Sequence, residues 1–324
     1  MNNALQESLA LAAYAVSNFL FIILISPFLM GVIKKVKALC QKRKGQPILQ
    51  QYYNLLKLLK KETVVSSDSS WIMQATPYIN IAIIIVASLF VPVLFSPDNT
   101  SYYISLFGNI ILFVYLLALG KFFMALSGLD AGSAFGGMGS SREMSMSAIL
   151  EPIIFLVFLA FAFVFKTINF FEIFKITSTT DILLANPAII LLAVSLFVVI
   201  IAETARIPVD NPETHLELTM IHESMILEQS GKNLMLMEIS HAIKQTLLMI
   251  IFINIFLPFG YATSITAIGI TIAILSFLVK GTILAVIIGI FESSTAKLRL
   301  FKLPEMFMIS FFLALLTIII EVFI

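Results

Sequence analysis

Long apolar runs separated by short polar stretches set the pattern of this chain. A bilayer core needs about 20 apolar residues per helix. Eight stretches approach that length, at 8–33, 71–96, 101–126, 147–166, 182–203, 240–260, 263–291 and 303–324. The sixth and seventh form one charge-free run between Lys244 and Lys280, which Leu257-Pro258-Phe259-Gly260 divides because Pro and Gly punctuate helices. The pattern predicts an all-α fold: a polytopic membrane protein of about eight transmembrane helices in one membrane domain, residues 1–324. Two segments between spans, 34–70 and 204–239, are too long for simple connectors. In the first, Ile48, Tyr52, Leu55, Leu56 and Leu59 recur at helical spacing, with Lys57, Lys60 and Lys61 largely opposite. This predicts an amphipathic helix at the membrane surface or packed on the protein.

Eight spans put both termini on one side, and basic residues decide which. The first loop carries nine, from Lys34 to Lys61, while the second carries none. The positive-inside rule places the odd loops in the cytoplasm and both termini outside. Residues 1–7 lack a basic region, so a cleavable signal peptide is not expected.

Composition agrees with the pattern. The chain is 60% hydrophobic and 12% charged, about half the charged fraction of a soluble domain. A net charge of +1 gives no bulk electrostatic case for nucleic acid binding. The single Cys40 excludes a disulfide framework or a cysteine-rich cluster within the chain.

The acids are distributed unevenly. Of 19, seven fall between 203 and 238: Glu203, Asp210, Glu213, Glu217, Glu223, Glu228 and Glu238. Neighbouring carboxylates disfavour each other's ionisation, which lets a group hold and pass a proton near neutral pH. A solvated loop would also carry acids. This segment, however, interleaves them with Leu216, Leu218, Met220, Ile221, Met225, Ile226, Leu227, Leu234, Met235, Leu236 and Met237, which favours burial. His215 and His222 are candidate relays. His222-Glu223 is followed by Ser-Met-Ile, so the HExxH zinc helix is absent and no metal site is expected. Within or beside the spans lie Glu143, Glu151, Lys121, Lys280, Glu292 and Glu321. An intramembrane charge is a functional candidate with a partner, unless it snorkels to an interface. Snorkelling is the expectation for Lys121 and Glu321. The glycine-rich stretch Gly128–Glu143 lacks the Gly-Lys-Ser/Thr of a phosphate loop, so close backbone approach is the better reading.

Five blocks carry a family resemblance. They are Gly45–Gln51 with Lys57–Glu62; Ser127–Ser133; Gly139–Glu143 with Glu151-Pro152; Glu203–Asp210; and Phe291–Leu300. Together they resemble the membrane subunit shared by complex I (the mitochondrial ND-one type) and the energy-converting group 4 [NiFe] hydrogenases. The variants lean toward the formate hydrogenlyase and hydrogenase-4 (component C) branch, as does Asn211–Glu223. His215 stands where quinone-reducing relatives carry an acid, and the chain is about three residues longer between Glu217 and Glu228. This departure argues against a quinone pocket.

The resemblance implies a non-catalytic membrane-anchor and ion-translocating subunit of an oxidoreductase complex in the cell (inner) membrane. The [NiFe] centre and iron–sulfur clusters would sit in partner chains of a hydrophilic arm, and antiporter-like membrane subunits would lie alongside. By that analogy Glu143, Glu151, Glu203, Asp210, Glu213, Glu217, Glu223, Glu228, Lys280 and Glu292 handle protons or sodium ions. Arg142, Arg206, Lys297 and Arg299 contact the arm. The quinone-binding membrane subunit of an NADH–quinone oxidoreductase and a stand-alone secondary transporter are the alternatives.

Overall fold

A computed structural model describes residues 2–93, 108–179, 186–211, 220–260 and 267–323, and of 2–13, 179, 267 and 268 the backbone only. Its helices are α1 (Asn2–Cys40), α2 (Gln50–Lys60), α3 (Trp71–Phe90), α4 (Ile110–Asp130), α5 (Ala134–Phe165), α6 (Phe170–Thr179), α7 (Pro187–Glu203), α8 (His222–Ile226), α9 (Gly231–Phe256), α10 (Ala267–Ser294) and α11 (Leu303–Phe323). Among the described residues there is no strand. Seven helices are long and apolar enough to cross a membrane, and α7 is a shorter apolar one of 17 residues. The chain is an all-α polytopic membrane protein.

The helices differ in places from the apolar runs. The helix expected over 147–166 begins at Ala134 and takes in the glycine-rich stretch. Ser133 starts it by accepting the Gly136 N–H, an N-cap. Glycines there admit close neighbours. A Cβ on Gly136 would lie 2.5 Å from the Gly128 carbonyl oxygen, and one on Gly139 would lie 2.8 Å from the Ser224 side chain. The α4–α5 turn and α8 therefore pack tightly on α5. Helix α1 continues past residue 33 to Cys40, so Lys34 and Lys37 ride on its last turns. A short helix, α6, occupies part of the connection between the fourth and fifth runs.

Helix α9 is the central element. Of its apolar window 72% is buried, against 22% for the last span. It packs on α1, α2, α3 and α7, while α11 lies between α5 and α7. Helix α2 rests on α9 and α1, with Gln51 buried and Tyr53, Leu56 and Leu59 exposed.

Candidate functional site

Charge gathers where α4, α5, α7, α8 and α9 meet. Glu203 closes α7 and is buried. A carboxylate at a helix C-terminus opposes the helix dipole and needs compensation. Two lysines supply it: Lys121 of α4 lies 2.5 Å from one oxygen and Lys244 of α9 lies 2.8 Å from the other. Burying a charge without a partner is costly, so these three residues hold one another in place.

Beside the triad is a cavity of about 60 Å³. A water needs about 10–15 Å³ of such space, so the cavity admits water. Lys121, Glu143, His222, Glu223, Glu238, His241 and Lys244 all line it. Two lysines and Glu203 leave one positive charge in excess, and the Glu143 carboxyl faces the same space. Along α9, Glu238, His241 and Lys244 recur every three residues, which puts them on one side of the helix. The His222 and His241 rings are in contact, with centroids 4.6 Å apart and planes tilted by 49°.

The α8 groups carry shifted acidities. Burial pushes the Glu223 carboxyl up to about 7, with Glu238 and Asp210 adding to the effect and Lys34 and Arg206 opposing it. Burial holds His222 down at about 4, reinforced by Lys244 and opposed by Asp210 and Glu203. At neutral pH, then, Glu223 exchanges its proton readily and His222 is neutral. At the cavity rim Lys34 donates to Gln51, and Gln51 donates to Glu238, both at 3.3 Å. This chain of hydrogen bonds ties α2 to the cavity wall.

A second set of charges lies beside the first, joined to it through the His222 backbone. Asp210 is buried, accepts the backbone N–H groups of Ile221 and His222 at 2.9 and 3.0 Å, and pairs with Lys297 at 2.8 Å. Glu292 pairs with Arg206 at 3.2 Å and with Lys37 at 3.7 Å, and Arg206 also donates to Gln245. Asp210 and Glu292 are thereby engaged in fixing the segment after α7 and the end of α10. Arg206 and Lys297, expected at an arm contact, pair with these buried acids. Arg142 donates to the Met220 carbonyl, and Arg299 is exposed.

Other expected site residues do not join the cavity. Lys280 donates to the Leu257 and Phe259 carbonyls and sits 5.7 Å over the Phe259 ring. It satisfies the oxygens freed where Pro258 ends α9. It is twelve residues along α10 from Glu292, about 18 Å at 1.5 Å per residue. Glu228 is exposed. Glu151 is partly buried and faces a groove with Leu112, Tyr115, Leu119 and Phe122 of α4. Glu213, His215 and Glu217 lie outside the described residues. Glu321 accepts from Asn186. Among the described residues no three of His, Cys, Asp and Glu gather so as to hold a metal ion.

Sequence reading missed Lys244, His241 and the inward role of Lys121. Lys121 was expected to snorkel, yet it turns inward because Glu203 on another helix offers a buried counter-charge. The every-third spacing of Glu238, His241 and Lys244 was the available signal. What it faces depends on helix packing.

Helices that enclose paired charges and a water-sized cavity define a class: multi-pass membrane proteins with an internal polar network. The chain matches the NADH dehydrogenase family over residues 13–322, and it belongs to that family. It is 29% identical over 292 residues to "Formate hydrogenlyase subunit 4" of Escherichia coli (strain K12), covering 90% of this chain and 92% of that one. It is 28% identical over 309 residues to "Hydrogenase-4 component C" of the same organism, covering 94% of each. "NADH-ubiquinone oxidoreductase chain 1" of Hyaloraphidium curvatum is 26% identical over 211 residues, covering 61% of this chain and 67% of that one. The fold is shared with a chain in the structure of the membrane-bound sulfane sulfur reductase, an archaeal respiratory membrane complex. There the TM-score is 0.78 at 19% identity, over 95% of this chain and 99% of that chain.

Proposed function

We propose that this chain is the membrane-anchor and ion-translocating subunit of a membrane-bound complex of the group 4 [NiFe] hydrogenase or formate hydrogenlyase kind. Redox chemistry in a cytoplasmic hydrophilic arm drives movement of H⁺ or Na⁺ through it and through neighbouring antiporter-like subunits. The reading rests on one observation above all: Glu203, sequestered between Lys121 and Lys244 beside a cavity that admits water. The near-full-length likeness to two E. coli hydrogenase-complex proteins supports the assignment of branch. The excess of basic residues in the odd loops supports placing those loops, and hence the α8 wall of the cavity, on the cytoplasmic side of the cell membrane.

In this scheme Glu203 alternates between its two ammonium partners and a protonated, released state. A change of charge at the arm moves α2 or α8, and the Lys34–Gln51–Glu238 chain transmits the movement to the cavity. Moving a charge among buried carboxylates biases their protonation. The complex isolated through an affinity tag on this chain tests the assignment: hydrogenase-like large and small subunits and an iron–sulfur protein are expected among the co-purifying subunits. Quinone-site inhibitor binding to a complex lacking a hydrogenase-like subunit would move the assignment to complex I. Transport by the isolated chain would move it to a secondary transporter.

A further inference from the structure

We propose that His222 and His241 form a two-imidazole relay that carries protons, and not sodium ions, between the Glu223–Glu238 mouth of the cavity and the Lys121–Glu203–Lys244 triad. The proposal rests on the ion-translocating reading above and adds the identity of the ion and the residues that select it.

Three observations carry it. First, the rings lie 4.6 Å apart between centroids, tilted 49°, and both line the cavity with Glu223 of α8 and, on α9, Glu238 a turn before His241 and Lys244 a turn after it. Second, the Nδ1 atom of His241 is buried and has no hydrogen-bond partner among the described residues, in a cavity wide enough for water. Stacking alone would be served by two apolar rings, whereas an unmet nitrogen on a cavity wall suits a site that receives a proton or a water. Third, the charges around the pair disfavour a resident cation. Lys121 and Lys244 face the cavity, and Arg206 and Lys34 act on His241 from the segment after α7 and from α1. Asp210 and Glu203 act on His222 from the other side, but both already hold lysines. A sodium ion would have to compete with Lys121 and Lys244 for the cavity carboxylates Glu143, Glu223 and Glu238 and shed its water beside two imidazoles. A proton needs neither.

A neutral imidazole accepts on one nitrogen and donates from the other. A proton leaving the Glu223 carboxyl breaks one O–H bond and forms one N–H bond on His222, whose other N–H passes its proton to His241, directly or through a cavity water. His241 releases its own proton to water on the triad side. Each ring ends neutral with its tautomer reversed and resets by the opposite exchange. No electron moves. Because His222 is neutral at physiological pH, the proton passes through the pair and does not stay there.

The test uses the purified complex in proteoliposomes. Turnover is followed with a viologen dye and proton movement with a pH-sensitive fluorophore, in His241→Gln, His222→Gln and Glu203→Gln. Glutamine fills the space and hydrogen-bonds but cannot relay. Proton movement per turnover should fall on the order of a hundredfold in at least one histidine variant, with dye turnover within about twofold. Added imidazole should restore part of it. Loss that imidazole does not restore, or that comes only with loss of dye turnover, reduces the pair to packing and overturns the relay. Full proton movement in both histidine variants while Glu203→Gln is uncoupled also overturns the relay, yet leaves the translocation reading standing. Full movement in all three removes both. Replacing sodium by choline at constant ionic strength should leave the histidine-dependent movement unchanged, and its disappearance would overturn the choice of proton over sodium.

Discussion

Two acid–base groups, built from the same residue types and close to one another, differ in how completely they are satisfied. In the Arg206–Glu292–Lys37 and Asp210–Lys297 set, the buried acids take cations, backbone N–H groups or both, and none of these five residues lines the cavity. In the Lys121–Glu203–Lys244 set, the pairing is equally tight but one wall opens on a cavity lined by Glu143, His222, Glu223, Glu238 and His241. A fully enclosed pair has nothing to exchange with and serves as scaffold. A pair beside a water-sized space can trade partners. Fixed and working charges are distinguished here by what surrounds them, and residue type does not separate them.

The comparison breaks first on the scaffold side. Glu292→Ala leaves Arg206 and Lys37 buried without their carboxylate, and breaking a buried pair costs about 3–5 kcal/mol. Loss of the assembled chain from detergent-solubilised membranes, read by gel filtration, is the expected result. A variant that assembles normally would show that the network is not closed. Glu203→Gln retains shape and hydrogen bonding, so the chain should assemble, while redox-driven proton movement falls by roughly tenfold or more, about 1.4 kcal/mol per tenfold in rate. Full coupling would take Glu203 out of the path.

A third prediction uses pH. Glu223 has its acidity pushed up to about 7 in the folded chain. Between the ordinary carboxylate value and 7 the folded state therefore binds more protons than the unfolded state, and this group's contribution to stability falls as pH rises through that window. His222 is held at about 4. Between 4 and its ordinary value the unfolded state binds more protons, and the contribution rises with pH. The two slopes oppose each other across the shared window near pH 5–6. Thermal unfolding followed over pH 4.5–7.5 should show a shallow profile in the native chain, a rising one in Glu223→Gln and a falling one in His222→Gln. Parallel profiles would mean that these groups do not carry the proton exchange of the cavity. The smallest effect is expected at Glu228, which is exposed. Glu228→Gln should stay within about 0.5 kcal/mol in stability and leave coupling unchanged. A coupling defect there would extend the working set to the surface.

Much of this protein could be read from one dimension. Apolar runs of bilayer length announce membrane helices because hydrocarbon leaves the backbone few other ways to satisfy its hydrogen bonds. Gly128, Gly136 and Gly139 announced close contact, since a Cβ at each would strike a neighbour. Glu203 at the end of a span was legible as a candidate buried acid, and Glu223 and Glu238 after it line the same cavity as its two lysines. Pairing was not legible. Lys121 and Lys244 are 123 positions apart in the chain, and nothing local to either shows that both reach the same carboxylate. Lys280 looked like an intramembrane functional charge, but the break at Leu257–Phe259 supplies carbonyls that only folding brings within its reach. The cations that pair with Asp210 and Glu292 were equally invisible in the sequence. The sequence by itself determined which segments leave water and which residues can carry charge, because transfer from water depends on composition along a helix. The tertiary structure alone decided which of those charges are closed in pairs and which face a cavity, because electrostatic energy at low dielectric depends on distances of a few ångströms between helices far apart in the chain.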